Sequence, residues 1–360
     1  MSPRELPYLR ENEGAGKRRS AATMKSRSTI ADVARLAGVS TATVSRVLSK
    51  PEVVSEAARR AVEAAVRRLG YVPLASAQAL ASGRSMAVGC VVPTLDHAIF
   101  ARSTQALQQH LAASGYQLLV ASHGYDPHRE LEVVQTLQRR GVDALVLVGT
   151  EHSPALWKNL LRWDKPAVLT WSCDERLPSV GFDNHAAGER AIDFLVGLGH
   201  RRIGHVAGEL QHNDRARSRM EGVRAALRKH RLKLPEPWVS EQPFTLQGGA
   251  KGLRSILQSG GRPTAIFCGN DLLAAGVIFE AQRLGLRVPQ DLSVLGIDNQ
   301  ALAESMVPSM STIALPTKRL GEEAAKLLLR AQGGLRVREQ ILLPFELIPR
   351  GSTAPPGPLR

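Results

Sequence analysis

Residues 29–48, TIADVARLAGVSTATVSRVL, decide how the first part of the chain folds. The first half of this stretch carries an apolar stripe at helical spacing, made by Ile30, Val33, Ala34 and Ala37. Thr29 stands at the N-cap position with Asp32 three residues later, which is a shortened capping box. Gly38 follows the stripe, and glycine tolerates the left-handed backbone of a tight helix exit. The pattern predicts a short helix between Thr29 and Gly38.

A second short helix is predicted to begin after Ser40, with an inward stripe made by Val44, Val47 and Leu48. At 100° per residue, Ala42 and Arg46 lie opposite that stripe, and Ser45 lies beside the stripe. Two short helices joined by a turn containing glycine are typical of a helix-turn-helix. The small, polar outer face of the second helix suits insertion into a DNA major groove. A plain helical hairpin with small residues at its crossing is the alternative.

Positive charge is concentrated at the same end of the chain. The whole chain of 360 residues has a formal net charge of +14. The first 85 residues contain 15 Lys or Arg and 7 Asp or Glu, so this quarter carries a net charge of +8. A basic patch that coincides with a helix-turn-helix indicates a polyanionic partner, whereas alone it would indicate only a solvated surface.

The stretch ADVARLAGVSTATVSRVL, residues 31–48, resembles the headpiece of the lac repressor family of bacterial regulators. The resemblance implies that the first two residues of the second helix and the arginine near its middle contact base edges. These residues are Thr41, Ala42 and Arg46, and Ser45 is a further candidate for DNA contact. Ala42 offers only a methyl group, which suits a thymine methyl better than a hydrogen-bonded base. The partner implied is double-stranded, pseudo-palindromic operator DNA.

The chain divides into five predicted segments. These are a disordered basic tail (1–27), a helix-turn-helix headpiece (28–74), a hinge helix and linker (75–85), a two-lobed effector-binding and dimerisation domain (86–350) and a disordered tail (351–360). In the headpiece, a third helix is expected from Ser55 to its closing Gly70. Both Met1 and Met24 are candidate starts, since family headpieces begin just before the first helix.

The hinge prediction concerns SAQALA, residues 76–81, which is too short to form a stable helix alone in water. It resembles the family's hinge helix, which orders on specific DNA and places a leucine from each subunit in a minor-groove step. Leu80 holds that leucine's position in this sequence. A plain linker is the alternative.

From Met86 onward, short apolar runs alternate with helical patterns. The runs lie at 87–92, 118–121, 144–148, 167–169, 203–207, 265–268 and 293–297. This rhythm predicts βαβ units in two doubly wound lobes with a cleft between them. It resembles the family's effector domain, itself similar to periplasmic sugar-binding proteins, in which the chain crosses between the lobes three times. We therefore expect a late helix from Pro316 to return to the first lobe, and a last strand at 341–347 to join the second. The predicted fold is thus an all-α headpiece plus a two-lobed α/β, periplasmic-binding-protein-like domain.

Polar side chains follow several predicted strands at their carboxyl ends, where open α/β sheets bind ligands. Asn270 and Asp298 are placed there, and each is equally suited to capping a helix or binding a ligand. The segments CGNDLLAAG, VLGIDN and RSRMEG resemble the family's ligand-binding segments, which implies that Asn270, Asp298 and Arg219 bind the effector. For Arg219 the alternative is a solvent-facing helix arginine beside Arg215.

The expected effector is of the carbohydrate type. Trp171 would cover the apolar face of a sugar while its hydroxyls take hydrogen bonds, and Phe100 would line the first-lobe side. Trp171 stands where lac-type proteins carry an acid, and Leu315 where they carry a polar group, which disfavours a neutral galactoside. The segments GYDPHRE and VGFDN resemble the branch that includes gluconate-operon repressors. A carboxylate would pair well with Arg219, so a sugar acid is our hypothesis.

Other classes of function are disfavoured. The motifs GxSxG, HExxH and GxGxxG are missing, so neither an enzyme, a metal site nor a cofactor is predicted. The cysteines, Cys90, Cys173 and Cys268, form no CxxC pair, and no signal-peptide core or membrane-length apolar run is present, which indicates the cytoplasm. The prediction is a ligand-responsive repressor, expected to be a homodimer. A cytoplasmic sugar-binding module and an α/β enzyme fused to a DNA-binding domain are the alternatives.

Overall fold

A computed structural model describes residues 28–72, 83–332 and 338–357. They fall in two compact units, the first within residues 1–82 and the second within residues 83–360. The predicted tail at 1–27 and the predicted hinge helix with Leu80 lie outside the described residues.

The first unit contains three helices, α1 (Ile30–Ala37), α2 (Thr41–Ser49) and α3 (Glu56–Leu69), with a 3₁₀ turn at Pro51–Val53. The predicted capping box is present, because the Thr29 amide donates to the Asp32 carboxylate at 2.9 Å and Thr29 Oγ1 accepts from the Asp32 amide at 3.3 Å. Gly38 ends α1 in the left-handed region, with φ of 65°. Val33, Val44 and Val62, one from each helix, are fully buried together. The predicted helix-turn-helix and its bracing third helix are confirmed.

The second unit contains two six-stranded sheets, one in each lobe. The first lobe contains β1 (Ala87–Val92), α4 (Ala98–Ala112), β2 (Gln117–Ser122), α5 (Pro127–Arg139), β3 (Ala144–Val148), α6 (Pro154–Arg162), β4 (Ala167–Trp171) and β5 (Ser179–Gly181). The second lobe follows with α7 (Asn184–Gly197), β6 (Ile203–Gly208), α8 (Asp214–Lys229), β7 (Val239–Gln242), α9 (Leu246–Gln258), β8 (Ala265–Cys268), α10 (Asp271–Arg283), β9 (Ser293–Asp298), α11 (Ala301–Ser305) and β10 (Ser311–Ala314). The chain then continues through α12 (Thr317–Gln332), β11 (Gln340–Leu342) and β12 (Glu346–Ile348).

The strand order shows how the chain moves between the lobes. The first sheet runs β11-β5-β4-β3-β1-β2 and the second β12-β10-β9-β8-β6-β7. Every pairing is parallel except β12 with β10. Fully buried Val, Leu and Ile fill the central strands, as parallel sheets covered on both faces require. The chain crosses between lobes after β5, after β10 and after β11, which confirms the three expected crossings; α12 packs on α4 of the first lobe.

The predicted single last strand at 341–347 is wrong. Its beginning pairs with β5 of the first lobe, and its end pairs with β10 of the second. Pro344 lies between the two pieces and cannot donate to a strand ladder. The apolar run is therefore two short strands on either side of the third crossing.

The predicted disordered tail at 351–360 is also wrong over residues 351–357. Ser352 is fully buried, and its hydroxyl donates to the Val294 carbonyl at 2.6 Å and accepts from the Ser311 amide at 2.8 Å. The carbonyl of Ala354 accepts from the Ser293 hydroxyl at 3.0 Å. Small hydroxyl and backbone groups thus hold this segment against the second sheet, although its Pro/Gly composition resembles a tail. Residues 358–360 lie outside the described part.

None of the helices in residues 28–72, 83–332 and 338–357 combines the length and the apolar character that crossing a bilayer requires. Within the same residues, no group of three or more His, Cys, Asp and Glu side chains is arranged to hold a metal ion. The three cysteines are free thiols, and Cys90 and Cys268 are buried.

Candidate functional site

The first candidate site is the outer face of α2. The side chains of Thr41, Ala42 and Arg46 are exposed, Ser45 is partly exposed, and the intervening Val44 and Val47 are buried. Ser40 caps the helix, because its hydroxyl accepts from the Thr43 amide at 3.1 Å. The exposed face and its arginine are therefore presented on a fixed helix.

The second candidate site is a pocket between the two lobes. All five residues predicted to bind an effector line it, namely Phe100, Trp171, Arg219, Asn270 and Asp298. Phe100 comes from the first turn of α4 and Trp171 from the end of β4. Arg219 lies on α8, whereas Asn270 and Asp298 follow β8 and end β9. The pocket is enclosed, since none of these side chains except Arg219 belongs to a residue more than 5% exposed.

Aromatic rings form one wall of this pocket. The rings of Phe100 and Trp171 meet edge to face, with centroids 5.0 Å apart, and the ring of Phe182 also meets the indole edge to face, with centroids 5.6 Å apart. His97 of the first lobe contacts Phe244 of the second at 5.3 Å. Such a surface covers the C–H face of a ring or a carbon chain while leaving orientation to polar groups.

Arg219 provides the cationic part of the pocket. Its Nη1 donates to Asn184 Oδ1 at 2.6 Å, and its enclosed Nε finds no hydrogen-bond partner among the residues that the structure describes. Burial lowers the pKa of the Arg219 guanidinium, and the charge of Asp298 acts in the opposite direction. An arginine keeps its charge in proteins, so an unpartnered N–H here is a donor available to a ligand. The alternative of a solvent-facing arginine is wrong for Arg219.

Asp298 and Asp271 provide the acidic part. Burial raises the pKa of Asp298 well above its ordinary value and that of Asp271 to about 6, and the charge of Asp271 further raises the pKa of Asp298. Asp271 accepts hydrogen bonds from Thr312 Oγ1 at 2.6 Å and from the Gln300 amide at 2.7 Å. Asp271 therefore holds the turn after β9 that presents Asp298, whose backbone φ is 126°.

Asn270 caps a helix and also lines the pocket. Its side chain accepts from the Leu273 amide at 2.8 Å and so caps α10. The same residue lines the pocket and is 4% exposed. Because the cap fixes the side chain, its remaining polar atoms are held at the pocket wall.

Comparisons with known proteins find relatives of both parts of the chain. A family model described as bacterial regulatory proteins, lacI family, matches residues 29–73, and a periplasmic binding protein-like domain matches residues 192–353. The HTH-type transcriptional repressor CytR of Escherichia coli strain K12 is 34% identical over 346 residues, which cover 94% of this chain and 98% of that repressor. The repressor PurR of Klebsiella pneumoniae strain 342 is 33% identical over 305 residues, covering 84% and 89% of the two chains.

The chain belongs to the lacI family. Among solved structures, the lac repressor dimer bound to operator and the anti-inducer ONPF superposes with a TM-score of 0.81 at 27% identity, over 91% of this chain and 99% of that one. This lacI-family chain is a DNA-binding transcriptional repressor with a sensor domain for a small molecule. Its curated relatives are named as repressors, not as enzymes, and they are not specifically of the gluconate type.

The structure adds pocket residues that the sequence did not indicate. Tyr125, Asn213, Arg215 and Phe244 also line the pocket of this lacI-family chain. Arg215 is 6% exposed and its Nη1 donates to Asp214 at 2.6 Å. Its spacing of four residues from Arg219 places both on one face of α8, and that periodicity could have identified it. Tyr125 carried no such signal, because only the left-handed backbone at φ of 61° turns it inward.

Proposed function

We propose that this repressor responds to a small carbohydrate-type acid, of which gluconate is the example, bound between the lobes. The observation that carries the proposal is that Arg219 is enclosed in the pocket with a hydrogen-bond donor left unpartnered. Its guanidinium is enclosed in the pocket, it donates to a neutral amide oxygen, and its Nε lacks a partner in the described residues. An incoming carboxylate would satisfy that donor and compensate the charge, since Arg–carboxylate bonds are charge-assisted and can be bidentate.

The rest of the pocket suits the remainder of such a ligand. Trp171 and Phe100 would cover its carbon chain, and Asn270 and Asp298 would bind hydroxyls. Asp298 lines the pocket, so its carboxyl oxygens can accept from the hydroxyls of a ligand. A neutral galactoside has no carboxylate, so it could not form the charge-assisted, bidentate contact with Arg219 that an acid can form.

At the DNA end, we propose that Thr41, Ala42, Ser45 and Arg46 contact base edges in the major groove. Two headpieces of a cytoplasmic homodimer would dock about one helical turn apart on a pseudo-palindromic operator. Leu80 would insert at the centre of the operator, and this proposal rests on the family resemblance alone. Leu80→Ala should therefore lower the preference for operator over random DNA more than it lowers non-specific affinity.

Control by the effector requires that it bind the DNA-competent and DNA-free states with different affinities. The coupling is reciprocal, so operator binding must change effector affinity by the same factor. The proposal covers an inducer and a corepressor alike, because the pocket does not determine whether the effector strengthens or weakens operator binding.

Isothermal titration calorimetry tests the effector class. D-gluconate and D-glucitol share one carbon chain and differ in a terminal carboxylate against a terminal alcohol. We expect wild type to bind D-gluconate at least tenfold more tightly than D-glucitol, and Arg219→Gln to lose that preference. Binding of neutral sugars or purines alone would contradict the proposal.

A further inference from the structure

Asn184 lies outside the pocket wall but next to two of its residues. It is the first residue of α7, immediately after the first crossing between lobes, and it is 4% exposed. We propose, on the basis of the proposed function, that Asn184 is a positioning residue. It holds Arg219 in a direction that selects an acid, without forming an ion pair with it, and it ties that arginine to Trp171.

The hydrogen bonds of Asn184 connect residues of both lobes. Oδ1 accepts from Arg219 Nη1 at 2.6 Å, while Nδ2 donates to the Trp171 carbonyl at 3.3 Å and to the Phe182 carbonyl at 3.4 Å. The surroundings fix the amide orientation, because a flipped amide would face its donors to the guanidinium and its oxygen to two carbonyls. These three hydrogen bonds use both the oxygen and the NH₂ group of the asparagine side chain.

The backbone around Asn184 is equally constrained. A Cβ on Gly188, one turn later in α7, would lie 2.2 Å from the Arg219 carbonyl oxygen. A Cβ on Gly222 would lie 2.0 Å from the carbonyl oxygen of His185. The two helices therefore cross backbone to backbone, which sets the short distance from Asn184 to Arg219.

Trp171 is held in an unfavourable conformation at the other end of this connection. Its φ is 74°, in the left-handed region that a bulky side chain rarely adopts. The bond from Asn184 to the Trp171 carbonyl restrains that backbone. Strain of this kind persists only where the surroundings over-determine it, and it accumulates at ligand sites.

The side-chain amide at residue 184 affects which class of ligand the pocket can bind. An amide oxygen accepts from Arg219 without neutralising it, so the guanidinium keeps its charge for the pocket. An aspartate at the same place would form an ion pair with Arg219 and would lose the donors to the Trp171 and Phe182 carbonyls. The structure thus assigns to Asn184 part of the discrimination between acids and neutral polyols.

The decisive experiment is a double-mutant cycle on D-gluconate affinity with Asn184→Ala, Arg219→Gln and the double variant. Asn184→Ala alone should weaken D-gluconate at least tenfold, but should change the affinity of Arg219→Gln less than twofold, because its effect passes through that arginine. Asn184→Asp should weaken D-gluconate at least tenfold and D-glucitol less than threefold. Asn184→Ser serves in place of Asn184→Ala if the latter does not fold. If the fold-losses in D-gluconate affinity of the two single variants multiply in the double variant, the inference is overturned. Equal losses of affinity for D-gluconate and D-glucitol in Asn184→Asp would also overturn it.

A matched control and a ligand-free readout separate this inference from the proposed function. Asn159 of α6 also exchanges amide hydrogen bonds, with Gln138 at 2.9 and 3.1 Å, but it lies outside the pocket, so Asn159→Ala should leave D-gluconate affinity unchanged. In hydrogen exchange without ligand, Asn184→Ala should deprotect both 169–173 and 215–223, whereas Asn159→Ala should deprotect neither. If wild type binds no acid, the proposed function fails and this exchange pattern decides the positioning role. Unchanged exchange in either segment would overturn it.

Discussion

At the scale of single residues, backbone strain gathers around the pocket. Three non-glycine residues with positive φ line it, namely Tyr125 (61°), Trp171 (74°) and Asp298 (126°), and Asn299 (54°) follows directly after Asp298. Such conformations cost of order 1–3 kcal/mol each, and they persist where tertiary contacts impose them. A ligand that fits these side chains meets a surface that is already fixed.

Arg46 is the residue that we propose contributes most to direct readout of DNA. Replacing it with alanine should weaken binding to operator by about 1–3 kcal/mol, because a base-edge contact is lost. Fluorescence anisotropy with operator and with random duplex at the same salt concentration measures the effect. The ratio of the two affinities should fall, and an equal loss on both duplexes would assign Arg46 to phosphate contact instead.

His205 makes stability depend on pH. It is 2% exposed, its Nδ1 bonds the Phe267 carbonyl at 2.9 Å, and burial lowers its pKa to about 4. Between pH 6.5 and pH 4 the unfolded chain binds a proton that the folded chain does not, so stability falls as pH falls. This histidine should account for about 2 kcal/mol of the loss between pH 7 and pH 5.

Denaturant unfolding at pH 7 and pH 5 checks this prediction with His205→Asn. The variant is expected to be less stable at pH 7 but to lose less stability on acidification. His128→Asn, at an exposed histidine, is the control. An unchanged pH dependence in His205→Asn would contradict the assignment.

Sequence alone could identify Arg219, Asn270 and Asp298 as residues of the pocket, because each lies in a segment that resembles the family's ligand-binding segments. It could not identify Tyr125 or the bond from Asn184 to Arg219. Those contacts depend on a left-handed backbone and on a close helix crossing, and neither leaves a periodic pattern in the residues around it.

At the scale of elements, glycines permit two helix pairs to cross closely. Besides the crossing of α7 and α8, a Cβ on Gly276 of α10 would lie 2.1 Å from the Leu246 carbonyl oxygen of α9. Backbone cannot move aside as a flexible side chain does. These crossings therefore set the distance between helices on the outer layer of the second lobe.

Gly276→Ala should destabilise the protein by about 1–3 kcal/mol, because the two helices must move apart. Gly197→Ala is the matched control, since Gly197 is also helical but a Cβ there would meet no atom within 4 Å. That variant should be neutral or up to about 1 kcal/mol more stable, because alanine favours the helix. Urea denaturation measures both, and equal stability of the two variants would contradict the role of the crossing.

Elements with strong periodicity or caps were predictable, and short polar ones were not. The Thr29 and Ser40 caps and Gly38 delimited α1 and α2 from sequence. The strand β7, VSEQ, and the strand β10, STIA, carry too few apolar residues to stand out. The division of the final apolar run into β11 and β12 depends on which sheet each piece can reach, and that is a property of the tertiary fold.

At the scale of the whole effector domain, contacts across the cleft hold the lobes together. On one side, the Thr150 amide and hydroxyl donate to Asp214 at 3.0 and 2.9 Å, and Arg217 pairs with Glu151. On the other side, Arg102 Nη1 donates to the Asn299 carbonyl at 3.2 Å. Because the pocket walls are buried, we expect a ligand to enter or leave when such contacts open.

Weakening these contacts should speed ligand exchange. In Thr150→Val combined with Glu151→Gln, the association and dissociation rates of D-gluconate should both rise several-fold, because the open state becomes more populated. Stopped-flow tryptophan fluorescence measures both rates. Glu323→Gln, which removes an ion pair with Lys326 within α12, is the control and should leave them unchanged. Unaltered rates in the double variant would show that these contacts do not limit access.

The central claim is that a small acid in the cleft changes the affinity of a sequence-specific DNA reader. The most direct measurement titrates wild type against a palindromic duplex selected from a random library, and against a scrambled duplex, with and without saturating D-gluconate. We predict that the selected duplex binds at least about 10³-fold more tightly than the scrambled one. We also predict that D-gluconate changes that affinity at least about tenfold. No preference for any duplex over bulk DNA, in either condition, would contradict the claim.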